Sequence, residues 1–278
     1  MSTISPSGDP QTAGVPRSSR QRDLGLVGWQ VRYEQRAYWR NRGRGIFTFA
    51  FPIMFLVIFA SLDKGQTLKT RGGIPYDDFF IPGILAYGVI ATTFVNLAIS
   101  TAILRDEGVL KRMQGTPLPT WAYVTARILS ACLIMLAMTV VVLGLGAGVW
   151  GLHFRAGALP GLVLTLFLGT AAFTTIGIGI TRFIPNAEAG PVVVNLVVLP
   201  LTFISNIWFP TDSLPSALKS IADIFPIKAL ADGLQHVFDP RVVGAALDGH
   251  DLRTLAIWTV VGIWLMVRFL RQPAGDVV

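Results

Sequence analysis

Six long stretches without a charged residue divide this chain, and they constrain its fold more than any other feature. They cover residues 45–62, 79–104, 128–152, 156–181, 189–211 and 254–267. A helix needs about 20 apolar residues to cross the hydrocarbon core of a bilayer, so five of the stretches are long enough. The sixth becomes long enough if Arg268 and Arg271 extend their side chains to the lipid headgroups. Backbone polar groups in lipid must pair within their own segment, so the pattern predicts an all-α integral membrane protein with six transmembrane helices.

The composition supports this class, because 52% of the 278 residues are hydrophobic and 14% are charged. Soluble domains carry about 25% charged residues. We expect one transmembrane domain over residues 24–271, between a disordered tail at 1–23 and a short cytoplasmic tail at 272–278. Its predicted spans are residues 46–62, 79–104, 122–150, 158–181, 190–209 and 254–270.

The distribution of charge predicts the orientation of the chain. An even number of spans places both termini on the same side. With residues 1–45, 105–127, 182–188 and 268–278 in the cytoplasm, that side holds 15 basic and 7 acidic residues, against 8 basic and 9 acidic outside. Cytoplasmic loops are enriched in Lys and Arg, which indicates an N-in, C-in topology in the cell membrane. The net charge of +7 then reflects orientation and contact with anionic lipids, with no reason to expect nucleic acid. Frequent Arg, Ala, Gly and Val hint at a bacterial source.

Two segments outside the spans have amphipathic patterns. The first covers residues 24–44, where an apolar side and a polar side predict a helix lying at the membrane interface. Its apolar side is Leu24, Val27, Val31, Tyr38 and Trp39, and its polar side is Arg32, Glu34, Arg36 and Arg40. A solvated basic linker is the alternative. The second covers residues 210–253, where apolar residues recur at helical spacing: Leu214, Leu218, Ile221 and Phe225, and then Ile227, Leu230, Ala231, Leu234 and Phe238. Charges on the other faces, at Lys219, Asp223, Lys228 and Asp232, argue against a seventh span and predict two short helices in an external re-entrant hairpin.

A polar island at residues 105–119 separates the second and third spans. Its first nine residues read RDEGVLKRM, so two acids precede a basic pair, with Leu110 and Met113 interleaved. An ordinary membrane turn needs only a few polar residues. The pattern predicts a short amphipathic helix on the cytoplasmic surface to which another protein can bind. A solvated, charged loop is the alternative interpretation.

The sequence offers little for catalysis but places neutral polar residues inside two spans. Its three histidines are isolated, Cys132 stands alone, and the phosphate-binding pattern GxxxxGK[ST] is missing. Thr93, Asn96 and Ser100 share one helical face in the second span, and Asn195, Thr202 and Asn206 share one in the fifth. With Phe94 and Phe203 nearby, these faces predict the lining of a mostly apolar pathway. Hydrogen bonding between helices is the alternative.

Taken together, three motifs resemble the permease of type-2 ABC exporters, the group that includes daunorubicin-resistance-like drug exporters and polysaccharide exporters. The first is the interfacial helix that runs into Arg40 and a span containing Pro52. The second is the island at 105–113, followed by Thr116, Pro117 and Tyr123. The third is the segment from Pro200 to Pro210, followed by the pairs Leu214-Pro215 and Phe225-Pro226. The resemblance covers residues 24–271.

The resemblance implies a dimer with a second copy or a paralogue, each half docked on a separate ABC ATPase that binds ATP and Mg²⁺. This chain would bind no cofactor itself. The segment around Glu107 would be the coupling helix seated in a groove of the ATPase, and Asp106 departs from the family pattern. The implied coupling residues are Arg105, Glu107, Gly108, Leu110, Lys111, Arg112 and Met113. In this family the second and fifth spans line the substrate route at the dimer centre.

Several functions remain open from the sequence. Export of a hydrophobic or amphipathic drug or lipid-like substrate agrees best with the apolar spans, and polysaccharide or glycolipid export is the nearest alternative. Ion-coupled transport would need ionisable residues inside the spans. A multi-span enzyme acting on lipids would need a catalytic constellation, and a structural anchor subunit would not need the polar island.

Overall fold

The apolar and amphipathic runs of the sequence fold into helices. The computed structural model describes residues 19–62, 67–68, 74–114, 119–151, 154–211 and 214–271. Within these residues lie α1 Ser19–Arg40, α2 Arg42–Leu62, α3 Tyr76–Val89, α4 Asn96–Asp106, α5 Val109–Gln114, α6 Thr120–Trp150, α7 Leu159–Ile180, α8 Gly190–Phe203, α9 Ser216–Ile224, α10 Pro226–Phe238 and α11 Gly249–Arg271. Thr67–Leu68 and Ile74–Pro75 pair as a two-residue antiparallel ladder between α2 and α3. The fold class is all-α, as predicted.

Each of the six uncharged stretches contains a helix, but the helices differ in length. Among the described residues, four segments are long and apolar enough to cross a membrane: Asp78–Asp106, Thr120–Val149, Ala156–Phe183 and Gly249–Leu270. The first and fifth stretches contain the shorter apolar helices Thr48–Ile58 and Gly190–Phe203. At about 1.5 Å per residue, the 14 residues of α8 extend about 21 Å, less than the roughly 30 Å hydrocarbon core. The fifth helix therefore ends six residues before the predicted boundary at residue 209.

Helix α7 lies at the centre of the molecule, with 15 of its 22 residues buried. Helix α11 packs along it. Gly179 permits this close approach, because a Cβ atom there would lie 2.7 Å from the Cβ of Leu265. Gly262 does the same from α11, since a Cβ atom there would overlap the hydroxyl of Thr175. Small residues let helices in membranes approach closely enough for van der Waals packing, which explains the tight pairing of α7 and α11.

The second span is interrupted by a π-helical segment, Ile90–Val95, between α3 and α4. The three pieces are continuous, because the residues at both junctions keep right-handed helical backbone angles. A π turn closes hydrogen bonds five residues apart and shifts every later side chain relative to a regular α-helix. Gly177 of α7 packs directly against this segment, and a Cβ atom there would lie 2.9 Å from the carbonyl oxygens of Thr93 and Phe94.

Helix α1 packs along α6, with Val27 and Tyr38 buried. Its predicted basic side is exposed at Arg32, Arg36 and Arg40. Glu34 differs from the prediction, which placed it on that same polar side. Its carboxylate lies against α6 because it forms an ion pair with Arg127. Residues 19–23, predicted to belong to a disordered tail, form the first turns of α1, while residues 1–18 and 272–278 lie outside the described residues.

The segment after the fifth stretch forms two amphipathic helices, α9 and α10. The predicted apolar side of α10 is buried at Ile227, Leu230, Ala231, Leu234 and Phe238. Helix α10 packs against α3, α7 and α11, and Gly169 of α7 makes room for the side chain of Leu230. Helix α9 instead leaves Leu218, Ile221 and Ile224 exposed. The hairpin is thus anchored by α10 and presents an apolar edge along α9.

Candidate functional site

The polar island folds into a sharp joint between α4 and α5. Helix α4 ends at Asp106, and Gly108 follows with a φ of +70°, the left-handed conformation that glycine adopts without strain. The amide of Gly108 donates to the carbonyl of Arg105 at 3.0 Å, and the amide of Arg112 donates back to the carbonyl of Gly108 at 3.3 Å. The chain therefore turns at Gly108 and restarts as a short helix, as the sequence predicted for this island.

Arg105 does not point away from the protein, although the resemblance implied that it contacts an ATPase. Its Nη1 donates to the carbonyl oxygens of Thr181, at 3.0 Å, and Ile184, at 2.8 Å. Its Nη2 donates to the carbonyl oxygen of Pro185 at 3.2 Å. These three carbonyls follow the end of α7 at Ile180, and the fork of donors on a guanidinium can bond several carbonyls at once. Arg105 thus holds the chain where it turns from α7 towards α8.

Asp106 completes this connection. One carboxylate oxygen accepts a hydrogen bond from Nε of Arg105 at 3.0 Å, and the other accepts from the backbone amide of Ala187 at 2.6 Å. The aspartate that departs from the family pattern therefore holds the α7–α8 turn, residues 181–189, against the end of α4. A movement of the α4–α5 joint must move this turn as well.

The remaining described side chains of the predicted coupling segment are either buried against the protein or exposed on its surface. Leu110 is 8% exposed and anchors α5 to the bundle. Glu107, Lys111 and Arg112 are exposed. Within the part of the chain that the structure describes, the Glu107 carboxylate has no ion pair or hydrogen bond, so it is available to a partner. The side chain of Met113 lies outside the described residues.

The predicted polar face of the second span does not act as a unit. The hydroxyl of Thr93 is fully buried and donates to the carbonyl of Val89 at 2.5 Å, and the hydroxyl of Ser100 donates to the carbonyl of Leu97 at 3.3 Å. Phe94 is buried in an edge-to-face contact with Phe173. The two hydroxyls therefore bond their own helix, which differs from the alternative of hydrogen bonding between helices.

Asn96 is the member of that face that reaches open space. It lines a cavity of about 220 Å³ between α2 and the second span, and a smaller cavity of about 50 Å³ between α1, the second span and α6. Thr92 lines both cavities too. The predicted face did not include Thr92, although its position four residues before Asn96 places both residues on one helical face.

The smaller cavity contains an ion pair between α1 and α6. Nη1 of Arg127 donates to the Glu34 carboxylate at 2.6 Å, and its Nε donates to the hydroxyl of Tyr123 at 3.1 Å. The side chains of Arg127 and Glu34 are 13% and 12% exposed. A buried charge is tolerated when it is paired and hydrogen-bonded, so neither residue leaves an uncompensated charge here. No local sequence pattern indicates this pair, because its members are 93 residues apart.

The predicted polar face of the fifth span ends early. Asn195 donates to the carbonyl of Pro191 at 2.9 Å, and Thr202 is buried and donates to the carbonyl of Leu199 at 2.8 Å. Phe203, the last residue of α8, is 55% exposed. Asn206 lies beyond the helix, so the prediction that it shares a face with Asn195 and Thr202 is wrong.

Asn206 instead joins the end of α8 to the hairpin. It adopts a positive φ of 58°, a conformation that asparagine tolerates better than most residues. Its side-chain amide donates to Asp232 at 2.6 Å, and its side-chain oxygen accepts from both the amide and the hydroxyl of Thr211. Its backbone carbonyl accepts from Gln235 at 2.6 Å. Asn206 is therefore a structural clamp on α10.

Comparison with known proteins bears on what this arrangement does. A family model described as ABC-2 type transporter matches residues 26–238. The chain is 21% identical to the probable multidrug ABC transporter permease YbhR of Escherichia coli K12, over 59% of this chain and 45% of that relative. It is 20% identical to the inner membrane transport permease YadH of the same strain, over 66% of this chain and 71% of that relative. It is 27% identical to the daunorubicin resistance ABC transporter permease protein DrrB1 of Streptomyces coeruleorubidus, over 65% of this chain and 63% of that relative. The match thus spans less than half the length of YbhR and about two thirds of the other two.

Proposed function

Because this chain belongs to the ABC-2 type transporter family, we propose that it is the membrane-spanning permease subunit of an ATP-driven exporter. Its substrate is a hydrophobic or amphipathic molecule, drug-like or lipid-like, that leaves the cytoplasm or the inner leaflet. The relatives named as multidrug and daunorubicin resistance permeases support this substrate class. The apolar interior of the bundle supports it as well.

The chain crosses the membrane six times, with both termini in the cytoplasm. A helix in each of the six uncharged stretches supports this topology. The α4–α5 joint and the α7–α8 turn contact each other through Arg105, as two cytoplasmic loops should. The loop after α6 contacts the loop after α10 through Arg155, which donates to the carbonyl of Asp239 at 2.7 Å, as two external loops should.

The α4–α5 joint is the site at which a separate ABC ATPase docks, and this joint is the observation that carries the proposal. Lys111 and Arg112 present exposed charges on the short helix α5, and Glu107 presents one at the end of α4, while Leu110 fixes α5 to the bundle. Arg105 and Asp106 extend the connection to the α7–α8 turn. A push on α5 is thereby transmitted to the second, fourth and fifth spans together.

ATP and Mg²⁺ bind to the partner ATPase, and conformational changes of that ATPase drive the conformational change of this chain. Closure of the ATPases would displace the joint and shift the permease between inward and outward openings. Substrate must bind the two states with different affinity, since switching between states of equal affinity moves nothing.

The permease works with a second copy or a paralogue, and α8 supplies much of the contact. This helix is shorter than a bilayer and leaves Val192 and Leu196 exposed by 69% and 73%. Backbone at membrane depth that does not form a full-length helix is tolerated where protein covers it. A partner permease packed against α8 would provide that cover.

Replacement of Glu107 tests the proposal. In vesicles that hold the permease and its ATPase, we expect Glu107→Ala to lower ATP-dependent export of a fluorescent amphiphile by about tenfold or more. Loss of one charged contact at a docking surface costs about 1.5–3 kcal/mol, which corresponds to that factor. The amount of permease in the membrane should not change, because the exposed carboxylate contributes no contact to the fold.

Asp223→Asn is the control, since it removes the charge of an exposed carboxylate on α9, which pairs with Lys228 and lies outside the α4–α5 joint. Export should remain at the wild-type rate in this variant. Unchanged export in Glu107→Ala would show that this joint does not receive the work of an ATPase.

A further inference from the structure

Two neighbouring cavities meet at Thr92 and Asn96. The larger one, about 220 Å³, has an apolar wall formed by Phe51 and Pro52 of α2 and Tyr87 of α3. The smaller one, about 50 Å³, has a polar wall that contains Glu34 and Arg127. Because Thr92 and Asn96 line both, the two form one crevice, which we call the α1–α2–α6 crevice. One end of it is aromatic and the other end is polar.

The two residues at the junction have hydrogen-bonding capacity that the protein does not use. Within the described residues, neither the hydroxyl of Thr92 nor the side-chain amide of Asn96 has a hydrogen-bond partner, although Thr92 is only 8% exposed. The neighbouring hydroxyls of Thr93 and Ser100 each bond a carbonyl of their own helix. Thr92 is buried and Asn96 is half-buried, and buried polar groups are normally paired, so these two groups facing one space can bond a ligand or water there.

The polar end of the crevice carries no net charge. Arg127 and Glu34 pair at 2.6 Å, and Gln30 donates to the second oxygen of Glu34 at 3.3 Å. A ligand with a net charge would bring an uncompensated charge into a site that is shielded from water, which is costly. An uncharged ligand with a hydroxyl or carbonyl group can instead bond Thr92 and Asn96 without disturbing the ion pair.

The apolar end suits a hydrocarbon or ring system. Phe51 and Tyr87 lie with their ring centroids 5.6 Å apart, and Trp208 packs on Tyr87 at 5.0 Å. Asn96 precedes Arg105 by nine residues, which corresponds to about 14 Å along the helix. With Arg105 at the cytoplasmic surface, the junction lies within the inner half of a roughly 30 Å hydrocarbon core.

From this arrangement we propose that the α1–α2–α6 crevice binds an uncharged amphiphile from the inner leaflet, with its polar group at Thr92 and Asn96 and its apolar body against Phe51 and Tyr87. This inference rests on the proposed export function and names the class and entry site of the substrate. The interfacial helix α1 forms one wall of the crevice, so a displacement of α1 opens or closes it. Thr92 and Asn96 are four residues apart, so they lie on one face of the second span.

Photolabelling of the full-length chain in lipid nanodiscs tests the inference. The probes are a fatty alcohol, a fatty amine and a fatty acid that share one alkyl chain bearing a diazirine. We expect the alcohol to label peptides of α2 and α3 that line the crevice, and the amine and acid to label them at least about fivefold less. In the double variant Thr92→Val/Asn96→Leu, labelling by the alcohol should fall about tenfold, because two hydrogen bonds are lost.

Two further variants sharpen the result. Ser100→Ala is the matched control, since its hydroxyl bonds the carbonyl of Leu97, and it should label like the wild type. Ala91→Phe fills the larger cavity without touching the polar groups and should also abolish labelling. Labelling that survives both Thr92→Val/Asn96→Leu and Ala91→Phe overturns the site, and equal labelling by the charged probes overturns the ligand class.

The test separates this inference from the export function, because photolabelling needs no ATPase. If the ATPase complex exports substrate but the crevice variants do not change labelling, the proposed binding site is overturned and the proposed function is not. If the probes label the crevice as expected but the chain does not support ATP-dependent export, the proposed function is overturned and the binding site is not.

Discussion

Arg105 connects two segments that are 76 residues or more apart in sequence, since it donates to the carbonyls of Thr181, Ile184 and Pro185. Its side chain is only 14% exposed. The planar guanidinium offers five donors in a fixed fork, whereas a lysine ammonium is a flexible point charge that cannot reach three carbonyls in this arrangement. Arg105 is therefore a positioning residue, which acts on the coupling surface through the α7–α8 turn.

At the residue scale we expect Arg105→Lys to loosen the α7–α8 turn. Amide hydrogen exchange of residues 182–190 should accelerate by about tenfold or more, because hydrogen bonds to charged groups contribute about 1.5–3 kcal/mol. Arg112→Lys is the control, as this exposed arginine makes one long hydrogen bond of 3.5 Å to the carbonyl of Glu107. Exchange mass spectrometry of the permease without its ATPase measures both. Equal exchange in the two variants would contradict the positioning role.

At the scale of elements, the π segment and α7 depend on each other. Gly177 lies so close to the backbone of Thr93 and Phe94 that even a methyl group would meet two carbonyl oxygens at 2.9 Å. Thr93 and Phe94 of this segment are buried in the core, whereas Thr92 of the same segment lines the crevice. The contact between Gly177 and the π segment thus links core packing to the geometry of the crevice.

We expect Gly177→Ala to destabilise the protein by about 1–3 kcal/mol, the usual cost of overpacking a dense core. Gly144→Ala on α6 is the matched control, because nothing lies within 4 Å of a Cβ atom there. Alanine has the higher helix propensity, so this control should be neutral or slightly more stable. Thermal unfolding of both variants in the same detergent measures the difference. An equal melting temperature in both would show that α7 is not constrained at Gly177.

At the scale of the whole molecule, contacts between loops divide the protein into two ends. The α4–α5 joint and the α7–α8 turn meet at one end, and Arg155 and the loop after α10 meet at the other. Helices that alternate in direction through a bilayer place their loops in this way. In the second loop, a hydrogen bond from Arg241 keeps the pKa of Asp239 below its usual range, so this carboxylate stays charged and paired at neutral pH.

Cysteine accessibility checks which end faces the cytoplasm. Cys132 is replaced by serine, and single cysteines are introduced as Val243→Cys, at a position 89% exposed, or Arg112→Cys. In sealed right-side-out membrane vesicles, an impermeant maleimide should label Val243→Cys at once and Arg112→Cys only after permeabilisation. The opposite pattern would reverse the proposed orientation.

Local sequence patterns were sufficient for the elements of this protein. The structure has a helix within each of the six uncharged stretches. It also has the helices α1, α5 and α10, which the amphipathic patterns predicted. The polar island was also located correctly as a joint with a short helix. These features depend on residues close together in the chain, where burial in lipid or protein imposes a regular period on the sequence.

The tertiary structure decided which polar side chains face a partner, a neighbouring helix or a cavity. Glu34 turns inward because Arg127 lies opposite, and Asn206 leaves the face of α8 because the helix ends at Phe203 and Asn206 bonds Asp232 and Gln235 of α10. Thr92 lines the crevice whereas its neighbour Thr93 is buried in the core, because the packing of α1, α2 and α6 around the second span decides which of the two faces open space. Helical spacing predicts which residues of a regular helix share a face. It does not predict what that face contacts, because the contacts join residues far apart in the sequence.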